Sequence, residues 1–213
     1  GIGSMDVDKA SKFFQYYGID GMGYNSEFYN GNSVVKGVRT FHAALVKKMK
    51  PVNPVFENFW YDGTNDFGQV TFDGGLSNHN KETFGDKDNV RTSLFFNYNW
   101  NRGQLTPSVA YAEKLGRDPL DLYCGVNMQG GEPGGTSWSL LPDQRVSIGL
   151  WGAHSYNMFW ESRSELGSSD EKKQFAYLRR TECYFGGGNR NPVITPSIVD
   201  KHQYTAYNPT WHG

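Results

Sequence analysis

The stretch Gly18-Ile-Asp-Gly-Met-Gly-Tyr-Asn-Ser-Glu-Phe28 begins like a buried strand and ends in polar residues. Asn25 and Glu27 lie two residues apart, and side chains at that spacing on a strand point to the same face. We therefore expect these two side chains to project side by side where the strand ends. The carboxyl group could donate a proton to a leaving oxygen while the amide holds a neighbouring polar group of the substrate. The alternative is that both are solvated turn residues.

Helical and strand-like segments alternate along the rest of the chain. The patterns predict strands at 19–25, 55–61, 92–98, 121–127 and 146–151. Helices are predicted at 6–17, 34–49, 107–116 and 169–184, with Pro107 in the first turn of the third helix. Strands that alternate with helices indicate parallel β/α units.

Apolar stripes and end signals define the first two helices. Asp6 or Asp8 can cap the first helix and Gly18 ends it, while Pro51 stops the second. The stripe of the first helix is predicted to consist of Phe13, Phe14 and Tyr17. That of the second is predicted to consist of Val34, Val38, Phe41, Leu45 and Met49.

Polar and aromatic residues gather directly after each predicted strand. They are Asn25 and Glu27, Tyr61 and Asp62, Asn99 and Trp100, Asn127 and Gln129, and Trp151 and His154. Such residues at several strand ends match a (β/α)8 barrel, whose active site is built from those ends. An open doubly wound sheet is the alternative, but no glycine-rich phosphate turn follows the first strand. Five strands are three fewer than a barrel needs, so the chain is a fragment or another segment supplies the rest.

The composition favours a sugar-binding protein over a nucleic-acid-binding one. The net charge of the 213-residue chain is -1 and its basic residues are scattered, so neither nucleic acid nor an anionic membrane surface is expected. Aromatic residues make up 15% of the chain against 20% charged residues. Aromatic rings stack on the C–H faces of sugars and amides pair with hydroxyls. The alternative is a core rich in Phe and Tyr.

Cofactor, metal and membrane signals are all lacking in the sequence. Cys124 lies in an apolar run and is expected to be buried, and neither it nor Cys183 belongs to a zinc or Cys-x-x-Cys spacing. No apolar stretch is long enough to span a membrane. The opening Gly1–Met5 resembles an internal cut, so the missing signal peptide decides nothing. We expect a secreted, cell-surface or periplasmic protein if the source is bacterial, and allow a cytoplasmic one if it is eukaryotic.

Several motifs in order resemble glycoside hydrolase family 85, the endo-β-N-acetylglucosaminidases. The anchors are Asp20-Gly21 with Asn25-Ser-Glu27, Trp60-Tyr61-Asp62, Phe96-Asn-Tyr98 with Trp100, Asp121-Leu-Tyr-Cys-Gly-Val126, Thr181-Glu-Cys-Tyr-Phe-Gly186 and Arg190-Asn-Pro192. The resemblance implies a (β/α)8 barrel of which this chain holds about strands four to eight. Residues 1–213 would then form one catalytic domain that is incomplete at both ends. The missing strands are expected from the rest of the protein.

The resemblance also implies a reaction and the residues that perform it. The substrate would be an N-linked glycan or glycoprotein, cut between its two core N-acetylglucosamines with retention and without cofactor or metal. Glu27 would be the general acid/base, and Asn25 would orient the 2-acetamido group that forms an oxazoline intermediate. Tyr61 corresponds to a tyrosine that hydrogen-bonds the acetamide, and Trp100 to a tryptophan that packs against the glycan.

The expected site contains further lining residues, and at one of them the sequence differs from the pattern of the family. Relatives commonly carry Trp where this chain has Phe72, which changes the space or the stacking partner for the glycan. Other expected lining residues are Asn99, Asn127, Trp151, His154 and Tyr156. Glu57 is expected to fill a polar layer inside the barrel rather than to act as a second catalytic carboxylate. The alternatives are a chitinase-like family 18 enzyme, disfavoured because Asn25 replaces an acidic residue, and a glycan-binding barrel without catalysis.

Overall fold

The computed structural model describes residues 2–127, 144–152, 169–172 and 174. The helices are α1 (Val7–Tyr17), α2 (Asn32–Met49), α3 (Lys81–Phe84) and α4 (Arg102–Lys114). The strands are β1 (Gly21–Tyr24), β2 (Glu57–Tyr61), β3 (Ser93–Phe96), β4 (Leu122–Asn127) and β5 (Ser147–Trp151). Each of these strands lies within a predicted one, so the alternation of helices and strands is confirmed over the described residues.

The chain divides into two compact units, Gly1–Cys124 and Gly125–Gly213. In the first unit, consecutive strands pair in parallel, with Gly23 opposite Phe59 and Phe59 opposite Ser93. The last pairing joins Phe96 to Cys124 in the first half of β4. In the second unit, the end of β4 and β5 are neighbours in the sheet. Helices connect β1 to β2, β2 to β3 and β3 to β4, as parallel β/α units require.

The two faces of the sheet differ in burial. Residues on the face toward the helices are completely buried, including Trp60, Leu94, Phe96 and Leu122. The alternate residues Phe59, Phe95 and Tyr123 are only half-buried. They line the other face of the sheet, which we call the inner face. This alternation places the polar and aromatic residues of interest on one side of the sheet.

Helix α1 is capped as expected, but its buried face differs from the predicted one. Asp6 Oδ1 accepts hydrogen bonds from the N–H groups of Asp8 and Lys9, and Gly18 ends the helix at a left-handed φ of 64°. The predicted stripe was wrong for Phe13 and Tyr17, which are 53% and 63% exposed. The buried face instead follows the spacing of three and four from Val7 through Ala10 and Ser11 to Phe14, and it packs on α2.

Helix α2 buries the predicted stripe from Val38 onward. Val34 is an error in that prediction, because it is 48% exposed while Val35 is completely buried. Moving by one residue turns a helix by about 100°, which is enough to exchange a core position for a surface one. Phe41, Leu45 and Met49 of this stripe pack with α1 and with Phe56 in one apolar cluster.

Helix α4 begins five residues earlier than predicted. Its N-cap is Asn101, whose Oδ1 accepts a hydrogen bond from Gly103 N at 2.8 Å, so that Pro107 lies inside the helix. An Asn cap can start a helix upstream of a proline, which then removes one internal hydrogen bond. The predicted last helix begins at its expected cap, since Ser169 Oγ accepts from Lys172 N at 3.3 Å. The part of this predicted helix beyond residue 174 lies outside the described residues.

Candidate active site

The segment that follows β1 presents Asn25 and Glu27 to solvent. Both are exposed, whereas Ser26 between them is 3% exposed. Ser26 Oγ accepts a hydrogen bond from Asn30 Nδ2 at 2.5 Å, and its carbonyl oxygen accepts one from Thr64 Oγ1 at 2.8 Å. The burial of Ser26 thus continues the alternation of the strand beyond its end. The amide and the carboxyl group consequently leave the backbone on the solvent side.

Two tyrosines at neighbouring strand ends lie within the electrostatic influence of Glu27. Burial, together with the negative charges of Glu27 and Asp62, raises the pKa of Tyr61 to about 12. The pKa of Tyr98 is also raised, first by burial and then by Tyr61 and Glu27. Their rings are 6.5 Å apart between centroids. The end of β1 therefore lies near enough to the ends of β2 and β3 for the charge of Glu27 to influence both tyrosines.

Side chains from the loops after β2 and β3 surround Tyr61. The Tyr61 hydroxyl donates a hydrogen bond to Asn97 Oδ1 at 2.7 Å. The ring of Phe72 meets the Tyr61 ring edge-on, with 6.2 Å between centroids. Phe72 has a φ of 46°, a left-handed conformation that is rare for a bulky residue and that places this side chain at the site. Gly63 allows the approach, because a Cβ there would lie 3.1 Å from the Tyr61 ring and 3.2 Å from that of Phe72.

Asp62 is a buried carboxyl group that joins the two loops. It is 2% exposed, and it accepts hydrogen bonds from Asn97 N and Gly74 N, each at 2.7 Å. Burial raises its pKa to about 7, although the backbone N–H groups oppose that rise. The sequence prediction placed Asp62 at a strand end without a role. The sequence feature that could have indicated a role for Asp62 is the position of an acidic residue directly after an apolar strand.

The remaining predicted site residues differ in their exposure to solvent, and two of them lie outside the described residues. Trp100 is 4% exposed, so it offers little surface to a sugar and its stacking role stays a prediction. Asn99 is exposed, but both ends of its amide are engaged by Asn97 and the Phe72 carbonyl. In the second unit, Asn127 and Trp151 are exposed at the ends of β4 and β5. His154 and Tyr156 lie outside the described residues.

Glu57 lies lower on the inner face, where its carboxylate is engaged by neighbouring side chains. It accepts hydrogen bonds from Ser93 Oγ and, at 3.2 Å, from the Tyr123 hydroxyl. These partners fit the polar layer that the sequence predicts for this residue. Cys124, on the opposite face, is completely buried, and burial raises the pKa of its thiol.

The described part of the chain contains neither a cluster suited to a metal ion nor a helix suited to spanning a membrane. There, no group of three or more His, Cys, Asp or Glu side chains is placed to hold a metal ion. None of the helices within the same residues is both long and apolar enough to cross a membrane.

Comparison with solved structures shows the fold of the chain. It is similar to the crystal structure of the Spr0440 glycoside hydrolase domain, Endo-D, from Streptococcus pneumoniae R6, with a TM-score of 0.69 and 23% sequence identity. The match covers 87% of this chain but only 30% of that one. Together with the parallel β/α units, it identifies the fold as part of a (β/α)8 barrel. The family model for glycosyl hydrolase family 85 matches residues 5–210, while no curated protein matches the chain. The chain therefore belongs to glycosyl hydrolase family 85.

Proposed function

We propose that this chain carries the acid/base centre of an endo-β-N-acetylglucosaminidase that acts on N-linked glycans. The observation that carries the proposal is the position of Glu27. Its carboxyl group is exposed beyond a strand end, two residues after Asn25, and its negative charge contributes to the raised pKa values of Tyr61 and Tyr98. Family membership supports the same reaction class, as does the likeness to a structure described as an Endo-D glycoside hydrolase domain.

The proposed reaction uses the acetamido group of the substrate as its nucleophile. Glu27, in its acid form, protonates the glycosidic oxygen as the bond from that oxygen to the anomeric carbon breaks. The acetamide carbonyl oxygen bonds to the anomeric carbon on the opposite face and forms an oxazoline-type intermediate. Glu27, now a carboxylate, takes a proton from water as the water oxygen bonds to the anomeric carbon. The bond from that carbon to the acetamide oxygen breaks in the same step, which releases the acetamide and restores the original configuration. Two inversions at one carbon give retention without a second enzymic carboxylate.

Asn25 and Tyr61 are proposed to hold the acetamide during these steps. An amide side chain offers both a donor and an acceptor, and therefore suits a group that changes from amide to oxazoline. The Tyr61 hydroxyl, which is proposed to meet the acetamide, is held in place by its hydrogen bond to Asn97. Phe72 contributes an aromatic face at the same strand end, where a sugar ring could stack.

The rest of the barrel is proposed to come from another part of the protein. The structure shows β1 to β5 within the described residues, and the chain spans 30% of the Endo-D structure that it matches. Parallel strands are normally buried on both faces and leave no open edge in a closed barrel. Activity is therefore best measured in the full-length protein and in this chain side by side.

The test replaces Glu27 by Gln, which cannot donate the acidic proton that the reaction needs. We expect the full-length protein to leave a single N-acetylglucosamine on a glycoprotein, and Glu27→Gln to abolish this product while glycan binding remains. Glu113→Gln, an exposed change on α4, is the matched control and should be fully active. Equal activity of the wild type and Glu27→Gln would refute the assignment. Binding without cleavage by the wild type would instead support the glycan-binding barrel.

A further inference from the structure

A chain of amide hydrogen bonds connects Tyr61 to the backbone of the loop that carries Phe72. The Tyr61 hydroxyl donates to Asn97 Oδ1 at 2.7 Å, and Asn97 Nδ2 donates to Asn99 Oδ1 at 2.8 Å. Asn99 Nδ2 then donates to the Phe72 carbonyl oxygen at 2.9 Å. We call these three bonds the amide relay. It joins the end of β2 to the loops that follow β3 and β2.

The last bond sets the direction of the whole relay. A backbone carbonyl can only accept, so Asn99 must turn its NH2 group toward Phe72 and its oxygen toward Asn97. Asn97 must then turn its own NH2 group toward Asn99, which leaves its oxygen for the Tyr61 hydroxyl. A flip of either amide would set two donors or two acceptors against each other. The orientation of Asn97 is thus determined by the main chain at Phe72.

The surrounding backbone holds the relay in place. Asp62 Oδ1 accepts from the main-chain N–H of Asn97, so this residue is held through its backbone as well as its side chain. Gly74 has a left-handed φ of 66°, and a Cβ there would lie 2.9 Å from Asn99 Oδ1. Asp62 Oδ2 accepts from Gly74 N. One carboxyl group therefore fixes both loops between which the amides lie.

We propose that Asn97 is a positioning residue for the glycosidase reaction and that it acts through the Tyr61 hydroxyl. The proposal rests on the function proposed above, since it assigns to Asn97 the task of holding the group that meets the acetamide. Asn99 secures the orientation of Asn97 instead of binding the glycan directly. Small displacements of a positioned group lower the rate steeply, so the relay should affect kcat more than KM.

A double-mutant cycle on the full-length protein tests this dependence. We expect Asn97→Ala to lower kcat roughly 10- to 100-fold with a smaller change in KM, and Asn99→Ala to change it in the same direction by less. In a Tyr61→Phe background, Asn97→Ala should cause no further loss, because the hydroxyl through which it acts is gone. Equal losses in both backgrounds, or no loss in either, would overturn the proposal.

Asn78→Ala is the matched control. Asn78 Oδ1 accepts a hydrogen bond from the Tyr111 hydroxyl at 2.7 Å, the same pair of groups at an exposed position on α4 and its neighbouring loop. This variant should keep full activity. A loss equal to that of Asn97→Ala would show that any Tyr–Asn bond matters through stability alone, and would refute a positioning role.

A spectroscopic measurement separates the relay from the proposed reaction. In protein labelled with fluorotyrosine, the fluorine signal absent from Tyr61→Phe belongs to Tyr61. We expect Asn97→Ala and Asn99→Ala to shift this signal and Asn78→Ala to leave it unchanged. If Asn97→Ala shifts the fluorine signal but the wild-type protein cuts no glycan, the amide relay is supported and the proposed function is refuted. An unshifted signal in Asn97→Ala would reject the relay whatever the activity.

Discussion

Asn25 and Glu27 are neighbours on one strand end, but they have separable tasks in the proposed reaction. Glu27 transfers protons in both steps, whereas Asn25 orients the acetamide while the ring of the intermediate forms. A substrate that already contains the oxazoline ring has passed the step for which Asn25 is most needed. The two residues should therefore respond differently to a change of substrate.

We expect Asn25→Ala to reduce hydrolysis of a glycoprotein by roughly 100-fold or more, the loss typical of one removed stabilising group. The same variant should still consume a preformed glycan oxazoline. The measurement compares initial rates on the two substrates, with Glu27→Gln as the reference that is impaired on both. Equal losses of Asn25→Ala on both substrates would contradict an orienting role.

The element that determines where Glu27 projects is the loop after β1, and the loop after β2 supports it. Thr64 Oγ1 donates to the Ser26 carbonyl, and Asn30 N donates to Gly68 O at 3.1 Å. Ser26 and Thr64 are both buried, so this contact excludes water. The position of the Glu27 carboxyl group, the proposed acid/base, consequently depends on a residue in a different β/α unit.

We expect Thr64→Val to lower the free energy of unfolding by roughly 1–3 kcal/mol, because it leaves the buried Ser26 carbonyl without this donor. Activity should fall as well, since the neighbouring Glu27 is less well held. Thr40→Val is the control. Its hydroxyl bonds to Lys36 O on the exposed side of α2, and its loss should change the free energy of unfolding by less than about 0.5 kcal/mol. Urea unfolding and kcat measure both variants, and equal effects would refute the special role of Thr64.

Two buried groups, Asp62 and His42, give opposite pH dependences of the free energy of unfolding. Asp62 has a pKa raised to about 7 by burial, so folding retains its proton and the free energy of unfolding falls as pH rises from about 4 to 7. His42 is completely buried and its pKa is lowered by burial to about 4. The stability that neutral His42 contributes to the folded state is fully present above about pH 6.5, and it is lost as the pH falls toward 4. Between about pH 4 and 6.5 the two contributions oppose each other.

We expect single variants to reveal these opposite slopes. Compared with the wild type, Asp62→Asn should make the free energy of unfolding rise more steeply with pH, by up to about 1.4 kcal/mol per pH unit. His42→Leu should change the slope by a similar amount in the opposite direction. Urea unfolding at several pH values between about 4 and 6.5 measures both. Parallel profiles for all three proteins would show that neither group titrates in this way.

The residue pattern alone was enough to predict the order of the elements and the places along the chain where the candidate site residues follow a strand. Alternating burial and helical spacing are local properties, so the strands and most of the helices could be read from the residue pattern, as could the position of Asn25 and Glu27 beyond a strand. Errors arose where neighbouring positions compete. Val34 and Val35 both suit an apolar stripe, and Asn101 and Pro107 both suit a helix start. Packing and cap geometry decide such cases, and neither is visible in the local pattern.

The contacts between residues that are distant in sequence could be read only from the folded chain. Tyr61 and Asn97 are 36 residues apart, and the carboxylate of Asp62 reaches Gly74 on one side and Asn97 on the other. These contacts follow from the parallel register, which sets the ends of β2 and β3 beside each other, and from loop conformations such as the left-handed Phe72. A residue pattern records which groups follow a strand. The hydrogen-bond partners of those groups depend on backbone positions that form only when the strands pair.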